Sequence, residues 1–276
     1  MEAEAVEALR ILARVCSQEG RRFALIGATV PQVVLDFREG SGSGSRETRD
    51  VDAVAEVNSW DDFTRLCERL EQEGFRQGQV AHELWFGDEI RIDLIPFGPS
   101  LVEHDKLSWP YGDSVMTACG FEEALECARD REVAPDLTLP VVSIPGLILT
   151  KVVAYMDRPA ERARDLIDIL YCFEHYERTP GESRRFDYAG ATVDDKEVAY
   201  EEAGAFLLGI EVAALAKPSS LDIVRRFLDS IRDEFAPAIS QILSEEKRLV
   251  DSDDRRSVLY RLFRIFGAGI NQTRNR

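Results

Sequence analysis

Histidine is scarce in this chain: the 276 residues hold only His82, His104 and His175. No two histidines lie close in sequence, and Cys172 and His175, three residues apart, have no second close pair to join them, so the paired spacing of a zinc site is missing. Cysteine is also sparse and odd in number. Cys16, Cys67, Cys119, Cys127 and Cys172 are widely spaced and mostly fall in helical patterns, which excludes a disulfide framework and predicts reduced thiols in the core. The longest apolar stretches, residues 139–150 and 198–216, are broken by Pro, Gly or charge and fall short of a membrane span. The N-terminus is acidic and amphipathic and carries no signal-peptide pattern. The expectation is a cytoplasmic protein with no membrane association. Positive charge is limited as well: 34 Lys and Arg stand against 51 Asp and Glu, a formal net charge of −17. That balance argues against broad, nonspecific binding of nucleic acid, which depends on neutralising phosphates. Arg21-Arg22, Arg184-Arg185, Arg225-Arg226, Arg255-Arg256 and the tail Arg274 and Arg276 would form a local basic patch only if folding gathers them. Otherwise they are scattered surface charges.

What is present is a chain of one large or two small domains, with enough apolar residues for a proper core. The periodicity predicts a helix over residues 4–18, a strand at Phe23 and a helix from Val30 to Phe37. A strand at Asp50 and a helix over 61–73, capped by Ser59 or Asp61, come next. Strands at Phe75, Leu84 and Ile90 follow, the last two around a Gly87-Asp88 hairpin signal. Residues 97–113 hold Pro and Gly and read as a surface wrap, and 115–119 and 139–142 as short strands. From Pro145 the pattern is helical: 147–157, 160–175, then a polar loop over 179–195, then 196–216, 220–234, 237–249 and 257–266. No repeat is evident. The fold class expected is α+β, a mixed sheet with flanking helices over residues 1–143 and a helical bundle over 144–276.

The most informative run is Arg49-Asp50-Val51-Asp52-Ala53-Val54-Ala55-Glu56-Val57. A strand puts alternate side chains on one face, so Asp50 and Asp52 point together while Val51, Ala53, Ala55 and Val57 can be buried. About two Asp-x-Asp triplets are expected by chance in so acidic a chain. The second, Asp251-Ser252-Asp253, lies among charges and reads as a solvated helix start. Context separates the first. Arg22 to Ile26 is a short apolar strand entering Gly27-Ala28-Thr29 and a helix. Gly27 permits a sharp turn and close backbone approach, the following helix offers N–H groups to an anion, and Thr29 is either an N-cap or a phosphate ligand. In the strand at Ile90, Asp93 shares a face with Arg91 and Ile95, and it joins Asp50 and Asp52 if the strands are neighbours. Three carboxylates beside a phosphate-binding turn suit two magnesium ions. Lys151 sits in the apolar helix turn Ile148 to Ala154, where a lone cation must reach water or a partner. Arg164, Asp165 and Asp168, one turn apart, either hold it or form a surface ion-pair ladder.

Gly27-Ala28-Thr29, the run Arg46-Glu47-Thr48-Arg49-Asp50-Val51-Asp52, Asp93, and Lys151 followed by Arg158, Arg164-Asp165-Leu166 and Asp168 resemble the minimal nucleotidyltransferases of the DNA polymerase β superfamily. The likeness is to the AbiEii group, toxins of toxin–antitoxin pairs, and covers the chain to about Tyr176. The family turn carries a second Gly, or Ser, where this chain has Ala28. The resemblance implies a nucleotidyltransferase catalytic domain followed by a helical one. It implies magnesium-dependent transfer of a nucleoside monophosphate from ATP or another nucleoside triphosphate to an acceptor hydroxyl. Asp50, Asp52 and Asp93 would hold metal; Gly27, Ala28, Thr29, Arg46, Thr48 and Lys151 would hold the nucleotide; and Arg164, Asp165 and Asp168 would support Lys151. An RNA end and an antitoxin protein are the implied partners. A small-molecule acceptor such as an aminoglycoside, or a silent binding module on the same fold, are the alternatives. The run Gly40 to Ser45 is a flexible segment, read as a loop tip or a lid over the nucleotide.

Overall fold

The computed structural model describes residues 2–35, 50–110, 115–178, 183–246 and 252–272. The chain divides into two compact units, Met1–Ser143 and Ile144–Arg276. The first holds α1 (Ala3–Gln18), β1 (Phe23–Ile26), a 3-10 turn (Gly27–Thr29), α2 (Val30–Val34), β2 (Asp50–Glu56), α3 (Trp60–Gln72), β3 (Phe75–Gln77), β4 (Glu83–Phe86) and β5 (Ile90–Phe97). After these come β6 (Val102–Glu103), β7 (Lys106–Ser108), β8 (Val115–Thr117), α4 (Phe121–Cys127), β9 (Arg129–Ala134) and β10 (Leu137–Val141). Seven strands form one mixed sheet in the order β3-β4-β5-β2-β1-β10-β9, and β6-β7-β8 form a separate small sheet. The architecture is the expected α+β one.

Alternation along the strands divides the large sheet into two faces. Val51, Ala53, Ala55, Leu84, Ile90, Ile92 and Leu94 are buried on one face, to which α1 and α3 contribute Leu9, Leu12, Phe63 and Leu66 as core residues. Asp50, Asp52, Arg91 and Asp93 alternate with them and so point the other way. The helix α3 starts at Trp60 because Ser59 caps it, its side chain accepting from the Asp62 N–H at 3.1 Å.

Asp62 itself is buried and accepts two hydrogen bonds from Arg21 at 2.7 Å each, one from the Asn58 N–H at 2.9 Å and one from Arg65 at 3.0 Å. The Arg21 hydrogen bonds, aided by those from Asn58 and Arg65 and opposed by burial, hold this carboxyl well below the usual carboxylate range. A depressed folded pKa adds stability that is fully present above the unfolded value of about 3.9 and is lost as pH falls through that value toward the folded one. Asp62→Asn is therefore expected to lower the melting temperature at pH 7, with the gap from wild type narrowing steadily as pH falls below about 5. Thermal melts across pH check this, and an unchanging gap would refute it.

The second unit holds α5 (Ile144–Asp157), α6 (Ala163–His175), a 3-10 turn (Arg184–Asp187), β11 (Thr192–Val193), β12 (Lys196–Glu197), α7 (Ala203–Leu215), α8 (Pro218–Ser230), α9 (Pro237–Glu246) and α10 (Ser252–Gln272). Helices α7 and α10 cross where Gly209 meets Gly269: a Cβ on Gly209 would lie 2.2 Å from the Phe266 carbonyl oxygen, and one on Gly269 2.2 Å from that of Phe206. Only glycine lets the two backbones approach so closely.

Several local expectations are corrected. Residues 196–202 are not helical; Lys196–Glu197 pairs with Thr192–Val193 across Asp194 and Asp195, both at positive φ, and α7 begins at Ala203. Where residues 97–113 were expected to wrap the surface, the described part carries two strands, turned at His104 and Asp105, again at positive φ. The strand β9 and helix α4 were not anticipated. Helix α10 begins at Ser252, five residues before the expected start at Ser257. Phe37, the last residue of the expected second helix, lies outside the described residues. The five cysteines are unpaired, four of them buried. Burial pushes Cys16, Cys67 and Cys172 each up to about 12. Of the arginine pairs, Arg185 is fully buried, while Arg21, Arg22, Arg184, Arg226 and Arg255 are bound to carboxylates of their own surroundings. Among the described residues no helix is long and apolar enough to cross a membrane.

Candidate active site

Strand register assembles the polar face. β2 runs antiparallel to β1 and parallel to β5, so Ile26 lies opposite Asp52, and Asp52 opposite Asp93. Across the β4–β5 hairpin, Asp93 lies opposite Glu83. Asp52, Asp93 and Glu83 therefore form one row across three strands. One pleat along, Asp50, Arg91, Trp85 and Arg76 form a second row across four. Asp50 and Asp52 share their face with Asp93, as expected.

The turn after β1 is built around the first row. Gly27 has φ +77°, a left-handed conformation, and a Cβ there would lie 1.9 Å from Asp52 Oδ2 and 2.7 Å from Asp52 Cβ. The missing side chain is what makes room for the carboxylate. Thr29 is 4% exposed, makes no capping hydrogen bond to α2, and its buried Oγ1 has no hydrogen-bond partner. The N-cap alternative is thereby removed. The described part of α2 is only five residues long, too short for a strong helix dipole, so an anion at this turn would depend on the Thr29 hydroxyl and turn amides.

Arg91 enters the same face. Its Nη2 lies 2.8 Å from Asp93 Oδ2 and its Nε 3.8 Å from Asp50 Oδ1. Burial works against its charge, but the Asp93 hydrogen bond and the fields of Asp93, Asp50 and Glu83 prevail and raise its pKa. Among the described residues, no group of three or more His, Cys, Asp or Glu is gathered closely enough to cage a metal ion. Arg46 and Thr48 lie outside the described residues.

Lys151, Asp165 and Asp168 meet in the second unit. Lys151 is 7% exposed, and its ammonium lies 2.9 Å from Asp165 Oδ1 and 2.6 Å from Asp168 Oδ2. Burial alone would lower its pKa, but the two carboxylates outweigh burial and raise it. Lys151 is thus held between two carboxylates that favour its charged form, and does not snorkel. Arg164 is turned elsewhere, 3.8 Å from Glu245.

The family model described as "Nucleotidyl transferase AbiEii toxin, Type IV TA system" matches residues 10–246. The chain belongs to the AbiEii nucleotidyltransferase family. No curated protein matches it. Among solved structures, the AbiEii chain is similar to JHP933 from Helicobacter pylori, at 11% identity and TM-score 0.43 over 100% of this chain and 97% of that one. It is similar to the antibiotic-resistance factor ANT(2'')-Ia, at 15% identity and TM-score 0.36 over 58% of this chain and 77% of that one. A tRNA-processing enzyme is similar at 13% identity and TM-score 0.35 over 98% of this chain and 59% of that one.

Membership makes this AbiEii chain a nucleotidyltransferase of a toxin–antitoxin family. The residues of the polar face that sequence reading passed over are Glu83, Trp85 and Arg76, and it gave Arg91 no role. Their signal was available in part: Glu83 and Trp85 are alternate residues on the first arm of the predicted hairpin. What was missing is the pairing register that sets them opposite Asp93 and Arg91.

Proposed function

We propose that this AbiEii chain moves a nucleoside monophosphate from a nucleoside triphosphate to an acceptor hydroxyl, an RNA end, at the polar face around Asp52 and Asp93. The observation that carries the reading is the direct pairing of Asp52 with Asp93, with Gly27 packed on the Asp52 carboxylate. These are hard oxygen donors, and magnesium is usually bound through one or two carboxylates together with substrate phosphates. The pair fits that chemistry without a protein cage, and Asp50, Asp52 and Asp93 are the residues that would hold two magnesium ions. When bound, magnesium would neutralise charge on the triphosphate and on the attacking and leaving oxygens.

The chain's own groups do the remainder. The unpartnered Thr29 hydroxyl and the backbone at Gly27 and Ala28 hold the β and γ phosphates. Asp93 accepts the proton of the acceptor hydroxyl as that oxygen bonds to the α-phosphorus. The bond from the α-phosphorus to the bridging oxygen breaks, and pyrophosphate leaves with that oxygen. Lys151, held by Asp165 and Asp168, is the nucleotide-binding cation that the family resemblance implies. Arg46 and Thr48 steady the phosphates or their loop, and Arg164 has a supporting role. The five unpaired cysteines support a reducing, cytoplasmic setting, and an antitoxin protein is the partner that family membership implies.

The test is label transfer from each of the four α-labelled triphosphates, offered total RNA, protein and an aminoglycoside as acceptors. Asp52→Asn keeps the shape that packs on Gly27 and removes a charged metal ligand, so label transfer is expected to vanish while the protein stays folded. Magnesium with the preferred triphosphate should raise the wild-type melting temperature by mass action and leave that of Asp52→Asn unmoved. Transfer at the wild-type rate in the variant would overturn the site.

A further inference from the structure

We propose that Arg91 is an exchangeable counter-ion: it holds Asp93 until a triphosphate arrives and then passes from that carboxylate to the phosphates, so that metal is admitted with the nucleotide rather than ahead of it. This deepens the reading above and rests on it for placing metal at Asp50, Asp52 and Asp93. Register sets the position. Arg91 lies directly opposite Asp50 and two residues before Asp93 in β5, and the pleat puts all three on one face. Its guanidinium reaches both carboxylates, with Nη2 2.8 Å from Asp93 Oδ2 and Nε 3.8 Å from Asp50 Oδ1. A divalent ion on Asp93 Oδ2 would stand beside a positive charge already bonded to that oxygen, a repulsion that lasts until the guanidinium leaves.

The contact differs from the other arginine–carboxylate pairs of this protein. Arg21 grips Asp62, Arg22 grips Glu56, Arg255 grips Glu246 and Arg264 grips Asp194, each through two hydrogen bonds from the guanidinium to the two carboxylate oxygens. That is the fork geometry in which such pairs are strongest. Arg91 makes a single hydrogen bond among the described residues, to Asp93. Its Nε is buried and has no hydrogen-bond partner, because the distance to Asp50 is too long for one. A buried donor left unsatisfied costs the folded protein free energy, and a ligand not yet bound accounts for it. A phosphate group, with several acceptor oxygens, can take Nε and Nη2 together and complete the fork. The Arg91 side chain is 33% exposed, so such a ligand can reach it from solvent. Arg76 is the natural comparison. It belongs to the same row across the sheet, but it contacts Asp88, the Gly87 carbonyl and the Trp85 ring and, among the described residues, none of the three proposed metal ligands.

The test uses the full-length protein with manganese as the probe, the free ion being counted by its electron paramagnetic resonance signal at about 0.15 M salt. Arg91→Gln is expected to bind manganese alone about 3- to 30-fold more tightly than wild type, because Asp93 is no longer bonded to a cation. Arg76→Gln removes an equal charge from the same face but frees none of the proposed ligands, and should change that affinity by less than about 2-fold. Calorimetry then follows the α,β-methylene analogues of the four triphosphates, which cannot transfer their nucleotide. With manganese present, Arg91→Gln should bind the tightest of them about 3- to 30-fold more weakly than wild type. The proposal is overturned if folded Arg91→Gln binds manganese no more tightly than wild type or than Arg76→Gln, or if it binds the analogue as wild type does. Should Arg91→Gln fail to fold, Arg91→Lys decides: it keeps the charge without the fork, and unchanged affinity for the analogue overturns the proposal equally. Label transfer by wild type alongside unchanged manganese affinity in Arg91→Gln would sink the exchange and leave the transferase reading. Both expected shifts without label transfer from any triphosphate would do the reverse.

Discussion

Gly27→Ala is expected to abolish nucleotidyl transfer and to destabilise the protein by about 2–5 kcal/mol. Two costs meet at this position. Its φ of +77° lies in the left-handed region, where an L side chain costs about 1–2 kcal/mol. The added methyl would also overlap Asp52, at 1.9 Å from Oδ2 and 2.7 Å from Cβ, and overpacking of this kind costs about 1–3 kcal/mol. The overlap reaches the Asp52 Cβ, so rotating the carboxylate does not relieve it; either the strand or the turn must move. Displacing Asp52 breaks its pairing with Asp93, and displacing the turn carries Thr29 away. Denaturant melts and label transfer measure the two effects separately. A variant that keeps wild-type transfer would show that the contact between turn and carboxylate has no part in the chemistry.

Arg185→Ala is expected to cost more than about 4 kcal/mol, an exceptional value for one side chain. Arg185 is fully buried, and its guanidinium donates five hydrogen bonds, all to main-chain carbonyls. Nε reaches Tyr176 at 2.6 Å, Nη2 reaches Phe173 at 3.0 Å and Glu174 at 2.7 Å, and Nη1 reaches Tyr200 at 3.3 Å and Glu201 at 3.2 Å. Phe173 and Glu174 are in the last turn of α6, where carbonyls lack helical partners and the helix end is negative. Tyr200 and Glu201 stand just before α7. One cation thus ties the end of one helix to the approach of the next. Burial lowers its pKa, yet an arginine keeps its proton in proteins. Truncation would strand several buried acceptors at about 1–3 kcal/mol each, less than additively. Arg185→Lys, with three donors in place of five, should recover only part of the loss. Arg184 is the internal comparison: its side chain is 46% exposed and paired with Glu177 and Glu211, and Arg184→Ala should cost about 1 kcal/mol or less. Urea unfolding of the three variants checks the ranking, and equal losses at 184 and 185 would refute it.

The same two arginines show where sequence reading reached and where it stopped. Side by side in the chain they look like one basic pair, and only the packing of α6 and α7 separates a buried cap from a surface charge. The carboxylate face was readable because burial alternates over Asp50–Ala53 in β2 and Ile90–Ile95 in β5, a pattern that belongs to each strand alone. Long helices with strong periodicity were readable for the same reason. Strand β9 was not: Arg129-Asp130-Arg131-Glu132 is charged on both faces, as suits a strand at a sheet edge. The hairpins at His104-Asp105 and Asp194-Asp195 turn without glycine, with non-glycine residues at positive φ, so their usual marker was absent. Thr29 was legible as a candidate, but its lack of any partner for a buried hydroxyl belongs to three dimensions.

Arg91 has a consequence for how this protein is made. Carboxylates crowded on one face repel one another, and a chain that relied on a divalent cation to quiet them would mature only as fast as the cation arrived. Here the neutralising charge is encoded in the strand itself, reaching Asp93 at 2.8 Å and Asp50 at 3.8 Å. The first unit is therefore expected to refold at the same rate in chelator as in magnesium, so that newly synthesised copies reach their final shape before any ion is recruited.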